Sequence, residues 1–310
     1  MVSLPAHDIQ TLSPAVLAFD SGCTLGESVV WCDRQRALWW TDINARRIWR
    51  AGIGDASGQW WSTPGRVGSL ALCESGRLLL GMEDGLYLAD PAAQPAESRL
   101  LCERRCDVPT ASPSLRVNDG RLDRSGNFVF GMINEDPARA RTGHFYQYAA
   151  RHGLRRLALD PVAIANGICF DPEGTTMYYC DSLQRQIMQV DYDAETAVVT
   201  TPRVFAVVEG DAEPDGATID AHGNLWSARW GAGQVVCHAP GGEVLSVLPV
   251  PARQPTCVAF AGDGLATLFI TSAREGLQVQ QIEAHPGNGA VFRADLAGVH
   301  GLPDSRFVDA

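Results

Sequence analysis

The sequence lacks the features that mark several common classes of protein. No apolar run reaches the roughly 18 residues that a membrane-spanning helix requires, and residues 1–5 show neither the basic nor the apolar stretch of a secretory signal. No run of basic residues indicates a nucleic-acid-binding surface, and the formal net charge is -11. We therefore expect a cytoplasmic protein that binds neither membranes nor nucleic acids, and we infer no obligate protein partner.

Familiar catalytic and cofactor-binding motifs are also missing. Gly-x-Ser-x-Gly, which marks the nucleophilic serine of many hydrolases, does not occur, and there is no phosphate-binding loop or dinucleotide-binding glycine motif. The nine cysteines are scattered, and Cys102 and Cys106 have no second Cys/His pair at the spacing of a zinc site. We expect reduced, mostly buried thiols rather than a disulfide framework.

One short pattern recurs six times along the chain. Apolar strand segments begin at residues 38, 78, 128, 177, 225 and 268, with successive spacings of 40, 50, 49, 48 and 43. The turns 123–126, 171–174 and 220–223 precede three of them, with Asp first and Gly fourth, as tight turns require. The gaps that follow are hairpin-sized, and no long stretch has the 3.6-residue period of a helix. This repeat predicts an all-β, six-bladed β-propeller with four-stranded antiparallel blades around a central channel.

We expect residues 1–310 to form a single domain, because no internal linker interrupts the repeats. A propeller must close its ring, and an apolar segment is available near each end of the chain, at 15–19 and at 306–308. We expect both segments to lie in the last blade, where pairing of N-terminal and C-terminal segments would close the ring.

One position of the repeat is predicted to face the central axis. The innermost strand of each blade should lie just upstream of the recurrent turn. Counting five residues back from the first turn residue selects Glu27, Gly68, Asn118, Asn166, Asp215 and Thr256. Two of these are carboxylates and two are amides, a donor set that suits a hard divalent cation, with Ca²⁺ first and Mg²⁺ or Mn²⁺ next. The alternative is that these side chains hydrogen-bond neighbouring blades and stabilise the ring.

Three charged residues near this ring are candidates for binding a substrate. Arg116 lies two residues before Asn118, so strand alternation puts both on one face, where Arg116 could bind an anionic or polyhydroxylated group. Alternatively, Arg116 forms a salt bridge with an acid such as Asp119. Glu135 and Asp136 follow the third repeated strand and would lie either at the channel mouth or on the solvated surface.

Four segments resemble successive motifs of the SMP-30/gluconolactonase/luciferin-regenerating-enzyme family. They are LGESVVW (25–31), RVNDG (116–120), NGICF (166–170) and PDG (214–216), and TSAR at 271–274 extends the resemblance over nearly the whole chain. Any one motif is weak, but four in order are specific. The resemblance implies a six-bladed propeller that hydrolyses a sugar lactone with one divalent metal ion. Calcium is the first choice for this ion, and Zn²⁺, Mn²⁺, Mg²⁺ and Fe²⁺ are alternatives.

The resemblance also implies roles for individual residues. Metal ligands would be Glu27, Asn166 and Asp215, and Asp215 would also be the catalytic general base that takes a proton from the attacking water. The substrate-binding positions fall on Arg116, Asn118 and Asp136, with Glu135 adjacent. There are two departures from the family pattern, Cys32 for the usual Asp of the first turn and Ser28 where Gly is commoner.

Two other functions remain open at this point. The protein could be a non-catalytic calcium-binding scaffold, or a propeller hydrolase of the aryl-esterase or organophosphatase type. A pocket beside the metal would favour catalysis, and polar groups at its mouth, such as Arg116 and Asp136, would favour a sugar over an apolar substrate. Aldonolactones of glucose, galactose, xylose and arabinose are all compatible with the sequence.

Overall fold

The structure is a computed structural model that describes residues 9–110 and 112–309. Regular structure in these residues is almost entirely β-strand, with one short α-helix, α1 (Val279–Ala284). None of their helices has the length and apolar character needed to cross a membrane. The nine cysteines form no disulfide.

The strands form six small antiparallel sheets, the blades of a six-bladed β-propeller, and the predicted fold is therefore confirmed. Two strands precede the first complete blade, β1 (Gln10–Thr11) and β2 (Val16–Phe19). Blade I contains β3 (Gly26–Cys32), β4 (Ala37–Asp42), β5 (Arg47–Gly52) and β6 (Gln59–Ser62). Blade II contains β7 (Val67–Leu72), β8 (Leu78–Met82), β9 (Gly85–Ala89) and β10 (Cys102–Asp107). Blade III contains β11 (Leu115–Leu122), β12 (Phe128–Asn134), β13 (Phe145–Ala149) and β14 (Gly153–Arg156).

The remaining blades follow the same order. Blade IV contains β15 (Ala165–Phe170), β16 (Thr176–Asp181), β17 (Gln186–Asp193), β18 (Val198–Val199) and β19 (Arg203–Val207). Blade V contains β20 (Glu213–Ile219), β21 (Leu225–Trp230), β22 (Gln234–His238) and β23 (Val244–Pro249), and β1 pairs with β23 in parallel. Blade VI contains β24 (Pro255–Ala261), β25 (Thr267–Ser272) and β26 (Val291–Asp295), and its outer strand is β2.

The ring is closed in blade VI, where the N-terminal β2 pairs antiparallel with β26, Val16 opposite Arg293. Residues 306–308 do not join them, contrary to the expectation from the sequence. The outer edge of β26 is already occupied by β2, and Phe307 instead forms a bridge with Cys73 in blade II. Residues 301–309, here called the C-terminal strap, therefore continue beyond the last blade.

The recurrent turn has the hydrogen bonds that its sequence predicts. Oδ1 of Asp123 accepts from the backbone N–H groups of Ser125 and Asn127, both at 2.9 Å. Gly126 has a φ of 79°, in the left-handed region that favours glycine. Each such turn joins the innermost strand of a blade to the second strand, so the turns lie together at one end of the channel.

Every blade has a β-bulge near the predicted axis-facing position. The register between the innermost strand and its neighbour shifts between Glu27 and Val30, Val67 and Ser69, Val117 and Gly120, Asn166 and Cys169, Pro214 and Ala217, and Pro255 and Val258. A bulge bends the strand and redirects its side chains, and bulges are common next to functional sites. The sixfold repeat of this irregularity marks the same level of the channel in all blades.

Apolar side chains between neighbouring blades form the core. Between blades II and III, for example, Leu79 and Leu86 pack in one buried cluster with Phe128 and Phe130. This packing fixes the blades against each other and so fixes the positions of the side chains that face the channel.

Candidate active site

A cavity of about 180 Å³ opens at the end of the channel opposite the recurrent turns. Glu27, Asn118, Asn166 and Asp215, the four donors predicted from the repeat, all line it. The residue two positions before each donor also lines the cavity. These residues, which lie on the innermost strands or immediately before them, are Leu25, Arg116, Ile164 and Glu213. Because the innermost strands run from the mouth inward, the four donors form the floor and the earlier residues form the wall.

The other two ring positions contribute no ligand to the floor. Thr256 is buried, and its hydroxyl hydrogen-bonds the carbonyl of Gly26 and the hydroxyl of Thr271 instead. At Gly68 a Cβ atom would lie 2.2 Å from the carbonyl oxygen of Val117, so any side chain there would collide with blade III. Blades II and VI therefore supply packing and backbone contacts where the other four blades supply polar side chains.

The two amide side chains of the floor have fixed orientations. Nδ2 of Asn118 donates to Oδ1 of Asn166 and to the carbonyl of Ala165, both at 3.0 Å. Nδ2 of Asn166 donates to Oγ of Ser182 at 3.0 Å, and that hydroxyl donates to the carbonyl of Pro214 at 2.8 Å. Because each NH₂ group has a protein acceptor, the oxygen atoms of both amides remain as the possible ligand atoms.

The two carboxylates of the floor are shielded from water, with Asp215 buried and Glu27 half-buried, and they repel each other. Burial raises the pKa of Glu27 to about 8, with a further contribution from the charge of Asp119. Burial and the charge of Glu27 raise the pKa of Asp215 well above its ordinary value. Each carboxylate accepts one backbone hydrogen bond, from Ser28 and Gly216 respectively, and neither forms an ion pair within the described chain.

This donor set fits a divalent cation. Two shielded carboxylates that form no ion pair within the described residues are costly in their ionised form, and a cation between them would remove that cost. Carboxylate and amide oxygens are ligands for hard divalent ions. No group of three or more His, Cys, Asp or Glu side chains that could hold a metal occurs in the residues described, so the ion would need the amide of Asn166 as well as Glu27 and Asp215.

Arg116 is held by Glu135 rather than by Asp119. Nε of Arg116 donates to Oε1 of Glu135 at 2.9 Å, and its Nη1 donates to Oδ1 of Asn118 at 2.9 Å. Arg66 binds both oxygens of the same Glu135 at 2.9 and 2.8 Å. The structure thus places Glu135 behind Arg116, outside the cavity lining, where its contacts position that guanidinium.

Asp136 does not line the cavity. Its side chain is exposed, and Oδ1 accepts a hydrogen bond from the backbone N–H of Ala138 at 2.9 Å. Three charged residues that the sequence analysis missed do line the cavity, namely Arg139, Glu213 and Glu275. Glu213 could have been found, because it precedes Asp215 by two residues as Arg116 precedes Asn118. Arg139 and Glu275 lie in non-repeating loops and gave no such signal.

The chain matches the family model of the SMP-30/Gluconolactonase/LRE-like region over residues 25–274. The chain belongs to this family. The resemblance inferred from four sequence motifs is therefore confirmed.

Similar proteins include two bacterial enzymes and one solved structure. L-arabinolactonase of Azospirillum brasilense is 39% identical over 97% of this chain and 98% of its own length. 6-Deoxy-6-sulfogluconolactonase of Pseudomonas putida is 34% identical over 91% of this chain and 94% of its own. The structure resembles that of a calcium-binding protein, regucalcin from Agrobacterium tumefaciens, with a TM-score of 0.88 and 28% identity, covering 97% of this chain and 99% of that chain.

Proposed function

We propose that this protein is a lactonase that opens a sugar lactone to the aldonic acid, with one divalent cation held at the floor of the propeller channel. The family and the two relatives named as lactonases support lactone hydrolysis. The observation that carries the proposal is the floor itself, where the half-buried Glu27 and the buried Asp215 lie together in a cavity open to solvent and form no ion pair within the described residues.

Glu27, Asn166 and Asp215 would hold the cation. Calcium is our first choice because the donors are all oxygens and because a structurally similar family member is described as calcium-binding. The ions Zn²⁺, Mn²⁺, Mg²⁺ and Fe²⁺ remain alternatives. When bound, the cation supplies positive charge for the carbonyl oxygen, which becomes negative as water attacks the lactone.

Residues of the chain accept the proton of the attacking water and bind the sugar. Asp215 takes a proton from the attacking water, a contribution that is typically about 10²- to 10⁴-fold in rate. Arg116 donates hydrogen bonds to the sugar and the amide oxygen of Asn118 accepts one, and the contact between these two side chains orients them. Glu135 positions Arg116 and does not contact the substrate. Asp136 has no part in this proposal, because its side chain lies outside the cavity.

The proposal is tested with a pH-indicator assay on aldonolactones of glucose, galactose, xylose and arabinose. We expect EDTA to suppress turnover, added Ca²⁺, Mn²⁺ or Zn²⁺ to restore it, and Asp215→Asn to abolish it while the thermal unfolding of the protein stays cooperative. Asp211→Asn is the matched control, because the side chain of Asp211 is exposed on the loop before β20.

Full turnover in the chelated protein would contradict metal-assisted hydrolysis, and full turnover in Asp215→Asn would contradict the assignment of the base. Tight calcium binding without turnover of any lactone would favour the alternative of a calcium-binding scaffold. This alternative is supported by the similarity to the regucalcin structure, which is described as that of a calcium-binding protein.

A further inference from the structure

The loop between β12 and β13 is built to hold one arginine at the cavity. Asn134, the last residue of β12, donates from Nδ2 to the carbonyl of Ala140 at 3.0 Å and to Oγ1 of Thr142 at 3.1 Å. Arg139 has a φ of 49°, in the left-handed region, and its backbone N–H donates to the carbonyl of Asp136 at 2.8 Å. This tight turn directs the side chain of Arg139 into the lining of the cavity.

Arg139 differs from the neighbouring arginines in its partners. Arg116 is paired with Glu135, Arg66 is paired with Glu83 and Glu135, and Arg141 is paired with Asp181 at 3.4 Å. Within residues 9–110 and 112–309, the guanidinium of Arg139 forms no ion pair, and Nη1 donates only to the backbone carbonyl of Asn134 at 2.9 Å. The remaining N–H groups of Arg139 can therefore donate hydrogen bonds to a ligand in the cavity.

Glu213 is the complementary group on the other side of blade IV. It lines the cavity from the first position of β20, and its carboxylate has no hydrogen-bond or ion-pair partner in the described part of the chain. Arg139 and Glu213 belong to the lining of one cavity, Arg139 from the loop after β12 in blade III and Glu213 from blade V. The two side chains form no ion pair with each other in the described residues, and both line the same cavity of about 180 Å³, so a ligand group in the cavity can meet both.

We propose that Arg139 and Glu213 are the specificity-determining residues for the hydroxylated end of the lactone, and that they select a neutral hydroxyl group over an anionic substituent. This inference rests on the proposed lactonase function and deepens it, because it names the chemistry of the substrate end that lies at the cavity mouth.

A hydroxyl group satisfies both residues at once. Its oxygen accepts from the guanidinium of Arg139, and its proton goes to the carboxylate of Glu213. A sulfonate, phosphate or carboxylate at the same place accepts from Arg139 but has no proton to donate, and its charge is repelled by Glu213. Glu275, a further carboxylate in the cavity lining, adds to this repulsion. Juxtaposed like charges are an effective means of rejecting a wrong partner.

The test compares two lactones that differ at one substituent. The probes are gluconolactone, with a neutral 6-hydroxyl group, and 6-deoxy-6-sulfogluconolactone, with an anionic one. We expect the wild-type protein to prefer the neutral lactone by at least about tenfold in kcat/KM. Glu213→Gln keeps the shape and removes the charge, so it should shift this ratio toward the sulfonate by about tenfold. Arg139→Gln should raise KM for both lactones with a smaller change in kcat.

Arg141→Gln is the matched control, because Arg141 lies in the same loop and is paired with Asp181 rather than lining the cavity. The ratio of kcat/KM between the two lactones should be the same in Arg141→Gln as in the wild type. A wild-type preference for the sulfonate, a ratio in Glu213→Gln equal to that in Arg141→Gln, or an unchanged KM in Arg139→Gln would overturn the inference and leave lactonase function intact. If the wild type hydrolyses no lactone with any metal ion, the proposed function fails and the inference fails with it.

Discussion

At the scale of single residues, the floor of the cavity depends on side chains that orient the donors as well as on the donors themselves. The amide of Asn166 could turn either its oxygen or its nitrogen toward a cation. Ser182 fixes this orientation together with Asn118: the proton of Ser182 goes to the carbonyl of Pro214, so its oxygen can only accept from Asn166, and Nδ2 of Asn118 donates to the oxygen of Asn166. Groups of this kind, which touch a ligand and not the metal, commonly change metal affinity by about 10- to 100-fold.

Ser182→Ala should therefore weaken metal binding. The variant leaves Nδ2 of Asn166 without its acceptor, so the orientation of this amide depends on the hydrogen bond from Asn118 alone. We expect the Kd for Ca²⁺ to rise about tenfold in isothermal titration calorimetry of the chelator-treated protein. Ser98→Ala is the control, since the hydroxyl of Ser98 only bonds the carbonyl of Pro95 in an exposed turn. An unchanged Kd in Ser182→Ala would show that the orientation of Asn166 has another cause.

A buried histidine makes the stability of the protein depend on pH. Nη2 of Arg229 donates to Nε2 of His238 at 2.7 Å, so Nε2 must be an acceptor, and Nδ1–H donates to the carbonyl of Gly242 at 2.9 Å. His238 is therefore neutral in the folded protein. Burial and the charge of Arg229 lower its pKa from 6.5 to about 4.

Well above pH 6.5 His238 is neutral in both the folded and the unfolded state, so its contribution to stability does not change with pH there. As the pH falls from 6.5 towards 4, the imidazole of His238 binds a proton in the unfolded chain and not in the folded protein, so its contribution to stability should decline by roughly 3 kcal/mol. Urea unfolding at a series of pH values measures this decline. In His238→Gln the decline should be smaller by about this amount, and equal slopes in the two proteins would contradict the assignment.

At the scale of strands and turns, the bulges are what convert a repeated sequence into a binding site. In blade I the bulge contains Ser28 with a φ of 53°, which explains why glycine is commoner at this place in the family motif. The hydroxyl of Ser28 offsets part of this strain, because it accepts from the backbone N–H of Leu70 at 2.9 Å and so connects blade I to blade II beside Glu27.

A pair of variants separates the two effects at Ser28. Ser28→Ala and Ser28→Gly both leave the N–H of Leu70 without its acceptor, a loss of about 1 to 3 kcal/mol. Only the glycine variant is free of the left-handed strain, which is worth about 1 to 2 kcal/mol. We therefore expect Ser28→Gly to be the more stable of the two in urea unfolding. An alanine variant as stable as the glycine variant would show that the bulge is not strained.

The same elements show how far sequence could predict this site. The Asp and Gly of the recurrent turn can be recognised locally, because a tight turn needs these residues, and counting back from them located Glu27, Asn118, Asn166 and Asp215. The count could not show that Glu135 turns away from the cavity. Its orientation depends on Arg66, which is 69 residues distant in the chain and belongs to another blade. Counting along the repeat also could not show that Arg139 lines the cavity, because the loop after β12 is not part of the repeat.

At the scale of the whole molecule, the C-terminal strap closes the end of the channel where the recurrent turns lie. Gly301 forms a bridge with Asp220 of blade V, and a carboxylate oxygen of Asp304 lies 3.6 Å from the guanidinium of Arg121, a half-buried residue of blade III. Asp309 binds Ser75 of blade II. No repeat pattern marks these residues, and their partners are distant in the sequence. The sequence therefore gave no signal that residues 306–308 run along the turn end of the channel and do not join the last blade.

Phe307 is the apolar anchor of the strap. It is 2% exposed, stacks on Tyr148 with ring centroids 5.6 Å apart, and belongs to the core cluster between blades II and III. Phe307→Ala should lower the free energy of unfolding by about 3 to 5 kcal/mol, because it removes a buried aromatic ring and leaves a cavity. The neighbouring Val308 is 60% exposed, so Val308→Ala is the matched control and should change stability by less than about 0.5 kcal/mol.

The two ends of the channel should then respond differently to this change. The strap lies at the turn end, whereas the cavity opens at the other end, so kcat/KM of the Phe307→Ala protein should equal the wild-type value at temperatures where the variant remains folded. Urea unfolding and the lactone assay on the same preparations measure the two effects. Equal stability in Phe307→Ala and Val308→Ala would show that the strap is not held by Phe307. A loss of activity in folded Phe307→Ala would mean that closure of the turn end also positions the floor, through the strands that carry Glu27, Asn166 and Asp215.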